Sequence, residues 1–319
     1  MTTPTVLRTP VIRQRAQTGD TIARLVVLTF ACLILLVTLL AVYELWISSA
    51  PSREKFGLGF LVSTQWNPVT EAFGALPFIY GTAVTSVLAL LISVPLGLGA
   101  AIFLSELAPA RVSDALTFLI ELLAAIPSVI YGLLALFTVV PLMRTTIGPF
   151  LKSTLGFLPF FKGYALGVGL LTAALVLSIM TIPFIISVSR ESLLAVPREQ
   201  REAALALGST RWETTWQVVV PYAKLGISGS VFLGLARALG ETMAVTMVIG
   251  NEPAIHASLL APGATIATVI ASQFSEATGT VYPSALVELG LVLFLLTVII
   301  NGFARLMLAA TTRKGSKRP

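Results

Sequence analysis

Residues 25–43 read LVVLTFACLILLVTLLAVY and contain no charged side chain, although Arg24 and Glu44 stand directly on either side. A bilayer core of about 30 Å needs roughly 20 apolar residues in a helix that rises about 1.5 Å per residue, so this stretch is long enough to cross once. It is too long for the apolar segment of a secretory signal peptide, and no small-residue cleavage site follows it. We therefore predict a retained membrane helix.

The composition of the whole chain agrees with a membrane protein. Of its 319 residues, 56% are hydrophobic and 11% are charged, whereas an ordinary soluble domain carries roughly 25% charged residues. So few charges exclude a soluble enzyme, a disordered tail protein and a disulfide scaffold. The single cysteine, Cys32, lies inside the apolar stretch and leaves no disulfide to form within the chain. The net charge of +6 does not indicate nucleic acid, because no basic patch with interleaved aromatic residues is present.

Five further windows with few or no charges predict five more spans and an all-α polytopic membrane protein. Proline interrupts three of the windows, at Pro95, Pro127 and Pro183, which a membrane helix tolerates when neighbours satisfy the freed backbone groups. Another uncharged stretch, 253–275, is interrupted by proline, glycine and polar residues, and we interpret it as an external loop with a short surface helix at about 265–271. The six predicted spans lie at about 22–47, 78–104, 116–142, 163–189, 225–250 and 285–308.

The distribution of Lys and Arg predicts the orientation. With the N-terminus inside, the inner segments hold fifteen of these residues and the outer segments five, while Arg237 lies within a span. Short cytoplasmic loops carry such an excess. We therefore predict one transmembrane domain at 22–310, cytoplasmic basic tails at 1–21 and 311–319, and a long cytoplasmic loop at 190–224.

The long cytoplasmic loop has the local signals of two short helices. Pro197 suits the first turn of a helix, where its missing N–H is not needed, and Gly208 fits a left-handed helix stop. Thr210 and Glu213 have the spacing of a capping box for a second helix, which we expect Pro221 to end. The loop is thus predicted to place a helix, a glycine turn and a second helix against the inner membrane face.

The first of these helices carries Glu202-Ala203-Ala204, followed after three residues by Gly208 and then by VVVP at 218–221. The two alanines offer a flat side that another protein can approach closely. This pattern, in the penultimate cytoplasmic loop of a six-helix protein, resembles the EAA loop of bacterial ABC importer permeases. The resemblance implies the type I ABC importer permease fold and a coupling helix that docks on an ATPase, with the glutamate, the two alanines and the glycine at the contact. The alternative is an amphipathic hairpin that only covers helix ends.

No G-x-x-x-x-G-K-[ST] sequence occurs in the chain, so this chain does not cradle ATP by that motif. The ATPase is therefore expected to be a separate polypeptide.

The fifth span contains Arg237 and Glu241, four residues apart and therefore predicted to share a helix face and to be close enough to pair. A lone charge at mid-membrane costs roughly 2.5–3.5 kcal/mol, and such residues are functional candidates by default. A guanidinium matches an oxyanion bidentately. A carboxylate beside it repels a fully ionised oxyanion but accepts a hydrogen bond from hydrogenphosphate, which favours phosphate over sulfate. A purely structural ion pair is an equally good interpretation of these two residues alone.

A second resemblance centres on the same span. The run RALGETMAV at 237–245, followed by Gly250-Asn251, is similar to the signature of the PstC family of phosphate permeases. The related PstA family shares the arginine and the Gly-Glu-Thr pattern but departs after the threonine. Further similar segments are ELLAAIPS at 121–128, YG at 131–132 and ELGL at 288–291.

The resemblance to PstC implies the membrane subunit of an ATP-driven importer of inorganic phosphate in the bacterial cytoplasmic membrane, and not an enzyme. It implies three partners, namely a PstA-like second permease, a PstB-like ATPase dimer and a PstS-like phosphate-binding protein. ATP and Mg²⁺ are expected on the ATPase, so no cofactor or metal is expected in this chain. One alternative is a permease for another oxyanion, such as molybdate or sulfate. A proton-coupled secondary transporter that uses Glu241 as carrier is the rival from a different class, but it has no need of an ATPase-docking helix.

Two hydroxyl groups complete the predicted substrate pathway. Thr242 follows the charged pair, and Ser128 follows the proline that breaks the third span. Each residue also has a structural explanation that needs no substrate. The threonine hydroxyl can donate a hydrogen bond to a backbone carbonyl of its own helix, and the proline–serine pair can be a kink required only for packing. We expect Glu121 and Glu288 to be solvated or capped at span ends, and His256 to be an incidental loop residue.

Overall fold

The computed structural model of the protein describes residues 10–163 and 166–315. The first nine residues of the predicted N-terminal tail and the last four of the predicted C-terminal tail lie outside these described residues. Within the two described ranges the chain forms helices and no β-strand, which confirms the all-α class. Six of the described helices are long and apolar enough to cross a membrane. These six are Asp20–Ser48, Leu76–Leu107, Ser128–Leu155, Leu170–Leu194, Arg211–Gly240 and Val281–Phe303.

The α-helices of the described part are labelled in chain order. They are α1 (Pro10–Ser48), α2 (Ala50–Phe56), α3 (Gly59–Val62), α4 (Leu76–Ile102), α5 (Ala110–Ala124), α6 (Ser128–Leu134), α7 (Val140–Leu142), α8 (Gly148–Leu155), α9 (Leu170–Leu194), α10 (Arg198–Ala206), α11 (Arg211–Thr214), α12 (Val220–Gly240), α13 (Met243–Ile249), α14 (Ile266–Gln273) and α15 (Val281–Gly315). A short π-helical turn extends α4 at its C-terminal end. Other π-helical turns join α6, α7 and α8 into one continuous rod, and α11 and α12 into another. Both α1 and α15 extend into the predicted tails.

The centre of the bundle is α9, which packs along α4. Small residues let the two backbones approach each other, since a Cβ added to Gly97 on α4 would lie 2.8 Å from Ile185 Cγ2 on α9. Ala89 and Ala173 are fully buried beside Leu177 in the same apolar cluster. Lipid removes the hydrophobic drive between membrane helices, so close packing through small side chains is what holds them together. This pair is the frame on which the other spans are placed.

The third span differs from the predicted 116–142. Helix α5 ends before Pro127, and the membrane-length helix begins directly after it as α6 and continues to the end of α8. Pro127 causes the break because it lacks an N–H and disfavours helical geometry in the residue before it. The Leu123 carbonyl accepts from the Ile126 N–H at 3.2 Å and from the Tyr131 hydroxyl at 2.8 Å, so Tyr131 ties α6 to the end of α5 across the break.

The fourth span, α9, begins and ends later than the predicted 163–189. Gly163 and Gly167 have φ angles of +106° and +91°, which a right-handed helix does not contain. At the other end, Arg190 belongs to the last turns of α9, and its guanidinium donates to the Ser113 hydroxyl of α5 at 3.2 Å. The sequence prediction ends this span before its first charged residue, Arg190. That boundary is too early, because an arginine with a hydrogen-bond partner can remain in the helix.

The fifth span is not the continuous helix predicted for 225–250. We call the predicted loop at 190–224 the coupling loop. Its second helix does not end at Pro221, because α11 passes through a π-helical turn at Thr215–Val219 into α12. Pro221 directly follows this π-helical turn, and the helix continues through it to Gly240. The resulting rod stops at Gly240, and α13 starts at Met243.

The stretch after α13 contains α14, near the short helix predicted at about 265–271. The prediction of a surface position is wrong, because Ile266 is fully buried and its N–H donates to the Thr82 hydroxyl of α4 at 3.0 Å. Gly81 permits this contact, since a Cβ there would collide with the Ala264 carbonyl oxygen. The segment therefore packs into one end of the bundle.

Candidate functional site

The break between α12 and α13 decides how the two charged residues of the fifth span are placed. Gly240 ends α12, and Glu241 follows in an extended conformation with φ −69° and ψ 128°. Arg237 and Glu241 therefore do not share a helix face, and the described residues hold no ion pair between them. The predicted pairing is wrong because it carries helical spacing through a point where the helix stops. A Glu241 carboxylate oxygen instead faces the N–H of Ala244, in the first turn of α13, at 3.4 Å.

Arg237 is a half-buried cation held by an aromatic ring. Its guanidinium carbon lies 4.2 Å from the centroid of the Phe184 ring on α9. The ring attracts the cation through its quadrupole and uses none of its N–H donors. Within the described residues, the buried Nε of Arg237 has no hydrogen-bond partner. The ring therefore holds the arginine in place without using its N–H donors.

Phe184 is a residue that sequence reasoning misses. It directly follows Pro183 in an apolar run, and nothing in that run singles out one phenylalanine. The contact joins two different spans, so only the packing of α9 against α12 reveals it.

The two predicted pathway hydroxyls lie at the ends of broken helices. Thr242 stands in the break itself, and its hydroxyl donates to the Gly240 carbonyl at 3.2 Å. Its own carbonyl accepts from the Thr246 hydroxyl at 2.7 Å, a back-bond within the helix. Ser128 is the half-buried first residue of α6, directly after Pro127.

The two breaks lie side by side because α6 and α13 are in close contact. A Cβ added to Gly132 on α6 would lie 2.7 Å from Met247 Sδ and 2.9 Å from Ala244 Cα on α13. Gly132 is one helical turn beyond Ser128, and Ala244 is about one turn beyond Glu241. If the two helices run in the same direction, this contact therefore places Ser128 at the same level as the break at Glu241.

The two helices do run in the same direction, because the segment at the start of α9 contacts both of them beyond this point, near the end of α13 and at Val140, which follows α6. The Gly169 N–H donates to the Val248 carbonyl of α13 at 3.0 Å. A Cβ on Gly167 would lie 2.5 Å from the Val140 carbonyl, which stands beyond α6 on the third span. The structure thus brings the four predicted pathway residues to one region, formed by α6, α9, α12 and α13.

The coupling loop folds as a short helix, a glycine turn and the start of a second helix, as predicted, but that second helix continues into α12. Gly208 has φ +91°, the left-handed conformation of a helix stop. The predicted capping box is confirmed, because the Glu213 N–H donates to the Thr210 hydroxyl at 3.2 Å and the Thr210 N–H donates to the Glu213 carboxylate at 2.8 Å.

The outer face of α10 differs in part from the prediction. Glu202 and Ala203 are exposed, whereas Ala204 is 8% exposed and packs toward the bundle. One alanine, and not two, therefore lies on the outer side. Leu205 and Leu207 lie beside it with 44% and 89% of their surface exposed. Exposed apolar side chains together at a polar loop are typical of a surface that meets another protein.

An ion pair fastens α10 to the end of the second span. Arg201 Nη2 lies 2.9 Å from Glu106 Oε1, and Arg201 Nε lies 3.2 Å from Glu106 Oε2, a bidentate contact. The same guanidinium donates to the Leu193 carbonyl at 2.7 Å. The two partners are 95 positions apart in sequence, so no local signal predicts their contact.

Glu288 is not solvated at a span end, and that prediction is wrong. It lies in α15 with 6% of its surface exposed, and its Oε2 has no hydrogen-bond partner among the described residues. Ser52 of α2 is fully buried, and its hydroxyl likewise has no hydrogen-bond partner among the described residues. Helix α2 covers this part of α15 because the chain folds back after the first span.

Glu121 and His256 lie outside the region of the helix breaks. Glu121 is exposed at the end of α5, as expected. His256 Nε2 lies 3.3 Å from a Glu252 carboxylate oxygen in an exposed pair. No group of three or more potential metal ligands occurs among the residues that the structure describes.

Comparisons with known proteins agree with this architecture. Residues 93–313 match the family described as binding-protein-dependent transport system inner membrane component. The chain is 52% identical over 262 residues to the phosphate transport system permease protein PstC of Xylella fastidiosa, which covers 81% of each chain. It is 48% identical over 286 residues, or 88% of each chain, to PstC of Mesorhizobium japonicum.

Two solved structures share the fold at 16% sequence identity. An inward-facing structure of the MetNI methionine ABC transporter aligns with a TM-score of 0.54, over 77% of this chain and 99% of that chain. A bacterial alginate ABC transporter in complex with a periplasmic protein aligns with a TM-score of 0.59, over 91% of this chain and 96% of that chain. The predicted ABC importer permease fold is confirmed. With six spans in the described residues and a family match over most of its length, the chain belongs to the binding-protein-dependent transport system inner membrane components.

Proposed function

We propose that the chain is the transmembrane permease subunit of an ATP-driven importer of inorganic phosphate. The observation that carries this proposal is its 52% identity to a phosphate transport system permease over 81% of both chains. Permeases named for methionine and alginate transport share the fold at only 16% identity.

The chemistry of the helix-break region supports an oxyanion as substrate. The Arg237 guanidinium offers a planar fork of donors that matches an oxyanion, and its contact with Phe184 leaves those donors unused. Glu241, which is not engaged in an ion pair with Arg237, accepts a hydrogen bond from the proton that hydrogenphosphate keeps at neutral pH. The hydroxyls of Ser128 and Thr242 stand at the same level and add further polar contacts along the path.

We further propose that the chain lies in the bacterial cytoplasmic membrane with both termini in the cytoplasm. The excess of Lys and Arg in the inner segments supports this orientation. In the assembled importer it pairs with a PstA-like second permease, and a PstS-like binding protein delivers phosphate at the outer face. A PstB-like ATPase dimer, which carries ATP and Mg²⁺, meets the inner face.

The coupling loop is the contact with the ATPase in this proposal. Glu202, Ala203 and the exposed Leu207 form the docking surface of α10. Gly208 directs the chain from α10 into the continuous rod of α11 and α12, which ends at the break beside Arg237. A displacement of α10 is thereby passed along one rigid element to the region where the anion is recognised.

The test is uptake of radiolabelled phosphate by proteoliposomes that hold the purified complex, with ATP inside and the binding protein outside. We expect uptake to require both, and excess unlabelled sulfate or molybdate not to compete. Competition by either anion would indicate that the importer's substrate is that oxyanion and not phosphate. Uptake that continues without ATP and stops with an uncoupler would indicate a proton-coupled carrier instead.

A further inference from the structure

A groove of about 740 Å³ lies between α12 and α15. One face of each helix forms its walls, and glycines make it deep. Its lining includes Gly229, Leu233 and Ala236 from α12 and Asn301, Gly302 and Arg305 from α15.

The groove has apolar walls and one polar end. Leu233 and Val298 expose more than half of their surface along the walls. Asn301 and Arg305 are four residues apart on α15, so they share one helix face at the polar end. Among the side chains that the structure describes, Arg305 has no carboxylate partner. Arg305 is also the first charged residue after Glu288 and lies in the last turn of the span predicted at about 285–308, where a long basic side chain extends to the level of the lipid headgroups.

We propose that this groove binds an anionic phospholipid. The phosphate contacts Arg305 and Asn301, and an acyl chain extends along α12 toward Ala236. Basic pockets between membrane helices are sites for anionic headgroups, and a groove that is cationic at headgroup depth and apolar below matches an amphiphile. A helix of a partner protein would have to bring an acidic side chain to the same depth to satisfy Arg305. The lipid packs one residue away from Arg237, on the rod that carries the helix break.

Two substitutions separate the apolar and the ionic parts of this site. Gly302→Leu fills the groove, and a Cβ at Gly302 meets no atom within 4 Å, so the new side chain enters without a collision in the chain. Gly99→Leu is its control, because Gly99 lies on α4 in equally open space outside the groove. Arg305→Gln removes the cation, and Arg24→Gln removes another exposed arginine, on α1, that does not line the groove.

The experiment uses the purified complex in nanodiscs of equimolar phosphatidylglycerol and phosphatidylcholine, released gently and weighed by native mass spectrometry. We expect the wild type and both controls to retain phosphatidylglycerol in preference to phosphatidylcholine. Gly302→Leu should lose the retained lipid, and Arg305→Gln should reduce the preference for phosphatidylglycerol about fivefold.

Three outcomes would overturn the proposal. Unchanged retention in both Gly302→Leu and Arg305→Gln would show that the lipid binds elsewhere, and equal retention of the two lipids by the wild type would show no anionic site. A lipid-free wild type, together with loss of the second permease from Gly302→Leu, would assign the groove to a protein partner. If Gly302→Leu fails to insert into the membrane, the lipid preference of Arg305→Gln is the deciding measurement, and an unchanged preference for phosphatidylglycerol would overturn the proposal.

Discussion

At the scale of single residues, Arg237 shows how one cation is kept in a membrane span without a carboxylate beside it. Phe184 attracts the guanidinium from the face of its ring, and Glu241 is turned away by the helix break. A structural ion pair would consume the donors of the arginine. The contact with a ring leaves them free for a substrate.

Replacement of Arg237 and Glu241 together tests this interpretation. A purely structural buried pair is often replaceable by apolar residues at little cost in stability. We expect Arg237→Met with Glu241→Leu to assemble with the other subunits but to lower phosphate uptake at least about tenfold, because hydrogen bonds to charged groups contribute about 1.5–3 kcal/mol each. The measurement is labelled-phosphate uptake at matched membrane levels, with assembly checked by co-purification. Arg24→Met serves as the control, and near-normal uptake by the double variant would return the two residues to a structural role.

The hydroxyl at the second break has a smaller expected effect. Ser128→Ala leaves α6 intact, because Pro127 and not the serine side chain stands at the helix cap and no side-chain cap is formed there. Loss of one hydrogen bond to the anion, at the low end of the range for charged groups or about 1.5 kcal/mol, should raise the KM for phosphate about tenfold and leave kcat nearly unchanged. An equal change for Ser153→Ala, an exposed serine of α8, would remove Ser128 from the path.

At the scale of elements, the geometry between α10 and the α11–α12 rod depends on one glycine. Gly208 has φ +91° and open space around it, so a larger residue there meets a backbone penalty and not a collision. A β-branched residue is strongly disfavoured in this conformation, at about 1–2 kcal/mol.

We therefore expect Gly208→Val to insert normally but to lose the ATP hydrolysis that phosphate-loaded binding protein stimulates. Gly99→Val, at an open helical glycine without positive φ, is the matched control. The rate of ATP hydrolysis by the reconstituted complex is the readout. Wild-type stimulation in Gly208→Val would exclude a docking role for this turn.

The contact between Arg201 and Glu106 ties α10 to the second span, and its loss should loosen the same coupling. Glu106→Gln leaves a half-buried arginine without its charge partner, and we expect it to cost about 1–3 kcal/mol of stability. Arg201→Met with Glu106→Leu should recover part of that loss, because apolar replacement removes both charges. Thermal unfolding in detergent measures the first effect, and the ratio of phosphate transported to ATP hydrolysed measures coupling. A double variant no more stable than Glu106→Gln would show that the pair is not a coupled unit.

At the scale of the whole molecule, the orientation in the membrane is open to a direct test. The single natural cysteine, Cys32, is replaced by serine to give a clean background. Val69 and Leu207 are 92% and 89% exposed and lie in segments proposed to face opposite sides. In cells that lack the ATPase subunit, which would otherwise cover Leu207, we expect Val69→Cys to react with an impermeant maleimide from the outer side and Leu207→Cys to react only in inside-out vesicles. The reverse pattern would invert the topology and remove the coupling loop from the cytoplasm.

The features that could be predicted from the sequence are those that composition or local spacing determines. Bilayer thickness sets the length of an apolar helix, so the six spans and the all-α class follow from windows such as 25–43. The turn at Gly208 and the box between Thr210 and Glu213 involve residues within three positions of one another, so their geometry is local. The family signatures around 202–221 and 237–245 likewise lie in continuous stretches of chain.

Tertiary structure alone decided where the charged and polar side chains of those stretches point. The fifth span stops at Gly240 because α13 packs separately against α6, and this separates Arg237 from Glu241. Phe184 beside Arg237 and Glu106 beside Arg201 are contacts between distant parts of the chain. A residue's own segment determines its helix, but its partners are set by the neighbouring helices that pack against it.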